Sequence, residues 1–140
     1  MKSASLRVRS GNLTLAANTY GVPRAALMGI YQIEGGRLGP AVRNSNGTAD
    51  LGPIQINTSW LPELSRSWGM SQATARRLVR DDACTNVGVA AWILRQQLDE
   101  TGNIAKAIAY YHSHTPVYGR DYQGKVVNRI SRYQLIPLGK

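Results

Sequence analysis

The segment from Glu34 to Asn57 constrains this chain most. An apolar helical run, Ala25-Ala26-Leu27-Met28-Gly29-Ile30-Tyr31-Gln32-Ile33, ends on a carboxylate, Glu34, and stops at Gly35-Gly36. Residues 35–57 then carry Gly, Pro, Asn and Asp throughout, which breaks helices and builds turns. A long structured loop in a small domain is often functional. The carboxylate at its entrance is hard to ionise. The C-terminal end of a helix bears partial negative charge, and apolar neighbours add desolvation in the same direction. Such a group can hold a proton near neutral pH and donate it, which cleavage of a glycosidic bond requires. The plainer reading is an exposed Glu34 at a frayed helix end, paired with Arg37.

The rest of the chain reads as mainly helix. A segment from about Leu13 to Tyr20 ends at Gly21, and Pro23 suits the first turn of the helix that Gly35 stops. Ser71 can cap a short helix to about Val79, and Asp81 or Asp82 can cap the next. There Cys84, Val87, Ala91, Leu94 and Leu98 recur at steps of three and four, predicting one buried stripe. Gly102 ends that helix. Asn103 can cap Ile104 to His112, Pro116 ends that segment, and a last helix spans about Asp121 to Leu135 with Tyr122, Val126, Ile130 and Tyr133 on one face. Strand signals are weak, and residues 43–57 are where a small sheet would lie.

At 140 residues the chain suits one compact domain, with residues 1–12 as a basic mobile tail and 13–140 as the folded unit. The net charge of +9 would attract nucleic acid, an anionic membrane surface or an anionic cell-wall polymer. Its basic residues are scattered (Arg7 and Arg9, Arg76-Arg77 with Arg80, Arg129 with Arg132), and no nucleic-acid recognition motif accompanies them. A solvated basic surface is the better reading, with no specific nucleic-acid partner. No apolar run approaches the roughly 20 residues that span a bilayer, and the first ten residues lack the apolar stretch of a signal peptide. With one cysteine, Cys84, no internal disulfide can form. Its neighbours Val87 and Ala91 favour a core cysteine over a thiol nucleophile.

His112 and His114 form a His-x-His pair, but a zinc site needs three or four ligands, and only Cys84 could join them. No metal or cofactor is expected. Asn44-Ser45-Asn46-Gly47 lacks the acidic run of a calcium loop, so a turn on Asn46-Gly47 is the better reading. Phosphate-binding, dinucleotide and nucleophile-elbow motifs are absent.

Three segments taken together are specific: Ile33-Glu34-Gly35-Gly36, Asp50-Leu51-Gly52-Pro53-Ile54-Gln55-Ile56-Asn57, and Tyr111-His112-Ser113 followed by Thr115-Pro116. With Asn86-Val87 before Ala91-Trp92-Ile93-Leu94, they resemble a lytic transglycosylase with the soluble-transglycosylase, lysozyme-like domain over about residues 13–130. The likeness is strongest to the small specialised branch that accompanies secretion, conjugation and pilus machines. It implies a mainly α, lysozyme-like α+β fold with at most a small irregular β element. It also implies action on peptidoglycan glycan strands, in the periplasm or cell wall, beside components of such a machine.

The resemblance assigns Glu34 as the acid/base and Gln55 as a residue contacting the sugar's N-acetyl region. It sets Tyr111 near the catalytic carboxyl, Tyr122 as a later tyrosine closing the groove, and Asn46 near a position that helps hold the N-acetyl group. His112 stands where many members have Asn. Gly35 replaces a common Ser, and Pro53-Ile54 replaces Leu-Met. Members of the branch often pair the cysteine equivalent to Cys84 with one near the start of the domain, and that partner is absent here. Asp50 matches no second catalytic acid of the family. The implied reaction is cleavage between N-acetylmuramic acid and N-acetylglucosamine with a 1,6-anhydro product. A muramidase using water and a non-catalytic wall-binding assembly factor are the rival readings.

Overall fold

The structure, a computed structural model, describes residues 8–35, 39, 41–112 and 116–132. The described chain is mainly helical, with a small antiparallel sheet, consistent with a lysozyme-like domain. Helices α1 (Ser10–Tyr20) and α2 (Arg24–Glu34) come first. α1 starts inside the segment read as a tail, and residues 1–7 lie outside the described residues. The sheet follows, then α3 (Leu61–Trp68), α4 (Gln72–Asp81), α5 (Ala83–Thr101), α6 (Ile104–His112) and α7 (Pro116–Arg132).

Three elements depart from the sequence reading. α3 was not anticipated, although Pro62 in its first turn and left-handed Gly69 just past its end bound it in the usual way. Pro116 opens α7 instead of merely ending α6, so the last helix begins five residues earlier than Asp121. Tyr133 and Leu135 lie outside the described residues. Cys84 is exposed, not part of the core. The buried stripe of α5 starts instead from Ala83 and runs through Val87, Ala91 and Leu94, with Leu98 only packed at its edge. The caps fall where expected: the side chains of Ser71, Asp82 and Asn103 accept from the backbone N–H groups of Thr74, Thr85 and Lys106 at 3.1, 3.1 and 3.0 Å.

Helix α5 runs through the core, with α1 and α6 packed against it, while α2 lies on α7. In α2 the spacing of Ala26, Leu27 and Ile30 buries one face, and Leu27 and Ile30 are fully buried. Each such side chain stabilises the fold by roughly 1.5–3 kcal/mol. The α2–α7 crossing is close at Gly29, where an added Cβ would sit 2.9 Å from Val126 Cγ1. That approach sets the C-terminal end of α2 beside α7.

The sheet has the order β1-β2-β3, with β1 Ala41–Arg43, β2 Ala49–Leu51 and β3 Ile56–Asn57. Val42 pairs with Asp50, and Asp50 pairs with Asn57. Alternation along β2 buries Ala49 and Leu51 and turns Asp50 the other way. A fully buried amide, Asn86 on α5, fastens the sheet to the helices. Its Nδ2 donates to the carbonyls of Leu51 and Val79, both at 2.9 Å, and its Oδ1 accepts from Ile54 N–H at 2.9 Å. Gly52 makes this contact possible. Its φ is +69°, and a Cβ there would lie 2.5 Å from Asn86 Nδ2.

Candidate active site

Glu34 is the last residue of α2, and Gly35 closes the helix in the left-handed conformation (φ 58°) with its N–H on the Tyr31 carbonyl. Half-buried, the carboxyl opens on a cleft of about 490 Å³ shared with Gln55 and Tyr111. Behind it, the Tyr122 hydroxyl donates to Glu34 Oε2 at 2.7 Å. The pKa of Glu34 is raised above its ordinary 4.5. Burial is the main cause; the Tyr122 hydrogen bond pulls the other way, and the charge of Asp50 pushes it up further. Tyr122 is itself held far above the usual tyrosine range by burial and by Glu34, so its hydroxyl stays a donor.

The opposite wall comes from the sheet. Asp50 faces the cleft from the middle of β2, and Asn57 Nδ2 donates to its Oδ1 at 3.0 Å. The same Nδ2 donates to Thr48 Oγ1 at 3.0 Å, and Thr48 Oγ1 donates to Asn46 Oδ1 at 2.7 Å. This ladder fixes the turn between β1 and β2 and orients Asp50.

The turn after β2 presents Gln55, the non-glycine residue with positive φ (51°) among the described residues. A side chain in that region carries strain that the surroundings must hold. Here Gln55 N–H and Gln55 Nε2 both donate to the Gly52 carbonyl, at 3.0 and 2.8 Å. The amide oxygen and the second N–H of Nε2 are left over. Tyr111 makes a long contact from its hydroxyl to the Ile54 carbonyl at 3.5 Å. Burial, with the charges of Glu34 and Asp50, raises its pKa well above the usual value and keeps the hydroxyl protonated.

Asn46 and His112 also line the cleft. The oxygen of Asn46 is engaged by Thr48 within the turn, which leaves its amide nitrogen. His112 is exposed but stacks on Tyr122, with ring centroids 4.5 Å apart and planes within 5°. Partial burial and Lys125 lower its pKa, outweighing Asp121 and Asp50, so the ring is neutral at pH 7. Tyr122 is buried behind Glu34, with its hydroxyl on Oε2, and is not among the residues that line the cleft. His114 and Arg37 lie outside the described residues.

Sequence reasoning set Asp50 aside as a loop residue, and it passed over Trp60 and Gln97. The Ala-Asp-Leu alternation was the available signal for Asp50. Trp60 lines the cleft and meets Trp92 edge-on at 5.5 Å.

Compared with known protein families, residues 12–121 match the transglycosylase SLT domain. The chain belongs to this family. No curated protein matches it. This SLT domain sets a carboxyl of raised pKa, the tyrosine hydroxyl that donates to it, and a polar wall around one cleft. Among the described residues no helix is long and apolar enough to cross a membrane, and no group of three or more His, Cys, Asp or Glu is placed to hold a metal ion.

Proposed function

We propose that this SLT domain cleaves the β-1,4 bond between N-acetylmuramic acid and N-acetylglucosamine of peptidoglycan, with Glu34 as the acid and then the base. The observation that carries the reading is the raised pKa of Glu34 in a cleft shared with Gln55 and Tyr111. Glu34 transfers its proton to the bridging oxygen as the C1–O bond breaks. Positive charge develops at C1, and the substrate's own N-acetyl carbonyl and the carboxylate of Asp50 both stabilise it. The Glu34 carboxylate, with Tyr122 still donating to Oε2, takes the proton of the muramyl C6 hydroxyl. That oxygen closes on C1 and gives a 1,6-anhydro end with no water consumed.

Gln55 and Asn46 serve as polar contacts to the acetamido region, and His112 and Tyr111 line the site beside the acid. The domain would act in the periplasm or cell wall, for local wall remodelling. Its Tyr111-His112-Ser113 sequence supports a place in the specialised branch that serves secretion, conjugation or pilus machines.

Mass spectrometry of the fragments released from purified sacculi tests the reading. Anhydromuramyl ends, lighter by one water than reducing ends, are the expected product. Reducing ends would make the protein a muramidase that uses water, and binding to sacculi with no soluble fragment would make it a wall-binding assembly factor.

A further inference from the structure

Two polar side chains are buried within the described structure, Asn86 and Gln97. Their situations are opposite. Asn86 spends its amide on three backbone groups of the β2 region and α4. Gln97 is 7% exposed, and its amide oxygen, shielded from solvent, has no hydrogen-bond partner among the described residues. Leaving a buried acceptor unmet is destabilising. Gln32 and Gln96 also carry an unmet buried atom, but neither is among the residues that line the cleft; Gln97 is.

Gln97 stands on α5 one turn beyond Ile93, and both face the cleft. The same cleft holds the ring of Trp60, backed edge-on by Trp92, with Ser59 and Asn57 beside it. An apolar ring among polar side chains suits a pyranose, which has flat C–H faces and a rim of hydroxyl donors. An acceptor hidden in that wall asks for a donor from the occupant.

We propose that Gln97 is a glycan-binding residue: on a turn of its amide toward the cleft, the oxygen left unmet in the free protein accepts a hydrogen bond from a hydroxyl or acetamido N–H of a bound N-acetylhexosamine unit. The inference rests on the glycan-cleaving reading above and adds the residue that holds substrate without taking part in proton transfer. Its amide does not titrate, so it contributes to affinity and not to bond cleavage. It also explains why a polar side chain is kept where leucine would fill the space.

The test uses the Glu34→Gln protein, which should bind without cutting, titrated with tetra-N-acetylchitotetraose by calorimetry. Replacing Gln97 by Leu, and separately by Met, should weaken binding by roughly 5- to 30-fold. Both replacements should leave the melting temperature equal or higher, because the unmet acceptor is gone. In the active protein the same changes should raise KM with kcat within about twofold and an unshifted pH profile. Unchanged affinity in both variants overturns the proposal. A lowered melting temperature in both also overturns it, since the amide would then be structural. No saturable binding by the Glu34→Gln parent overturns the proposal, whereas the glycan-cleaving reading stands or falls separately on the fragments released from sacculi.

Discussion

The Tyr122 hydroxyl donates to Glu34 Oε2 at 2.7 Å, while Asp50 raises the pKa of the same carboxyl from across the cleft. The two neighbours act on Glu34 in opposite directions. If Glu34 must be protonated to act, activity falls as pH rises through its pKa. Tyr122→Phe removes an interaction that favours the ionised form, so the alkaline limb should move to higher pH. Asp50→Asn removes a repelling charge, so the limb should move to lower pH. Tyr122→Phe should also lose roughly tenfold or more in kcat with the lost charged hydrogen bond, and Asp50→Asn on the order of 10²-fold. Rate–pH profiles of the three proteins on sacculi measure both effects.

Glu34→Gln should lower the rate by about 10²–10⁴-fold, because the amide keeps the shape but supplies no proton. It should also change stability in a pH-dependent way. A carboxyl whose folded pKa is raised above 4.5 favours the folded state at low pH, and that contribution is lost as pH rises through the raised value. Glutamine has no such loss. The melting temperature of the variant should therefore gain on wild type as pH climbs from about 4 to about 8, as read by thermal denaturation across that range.

Asn86 and Gly52 should behave as a pair. Asn86→Ala strands two carbonyls and one N–H in the core, a cost of roughly 3 kcal/mol or more. Gly52→Ala drives a methyl into the Asn86 amide at a backbone φ of +69° and should destabilise by a similar order. The double variant should be less destabilised than the two singles added together, since both break the same junction. Chemical denaturation of the four proteins measures the coupling.

Much of this was legible in the sequence because local chemistry and packing agree. Gly21, Gly35 and Gly102 sit at the left-handed ends of α1, α2 and α5, and Ser71, Asp82 and Asn103 are capping residues by type. The apolar neighbours of Glu34 in the sequence point to desolvation, which is the main cause of its raised pKa. Cys84 misled because period alone does not fix where a stripe begins: Val87, Ala91 and Leu94 are buried as expected, but the first member is Ala83 and not Cys84. Asp50 was hidden because its importance comes from pairing with Asn57 and from facing α2 across the cleft, both products of tertiary folding. Gln97 was hidden likewise. A glutamine in a helix reads as solvent-facing until the packing of α5 turns it inward.

The net charge of +9 should steer the domain toward the carboxylates of the wall. Screening shortens that attraction, so digestion of sacculi should slow several-fold between about 0.05 M and about 0.5 M salt. The product spectrum should not change. Turbidity clearing at a series of salt concentrations measures it, and a flat profile would remove steering from the account.

The most direct test is an NMR titration of the Glu34 side-chain carboxyl in the free protein, assigned by its loss in Glu34→Gln. The account predicts a midpoint above 4.5, moving up in Tyr122→Phe and down in Asp50→Asn. A midpoint at or below 4.5 would contradict it, because Glu34 would then have already given up the proton that the reaction needs.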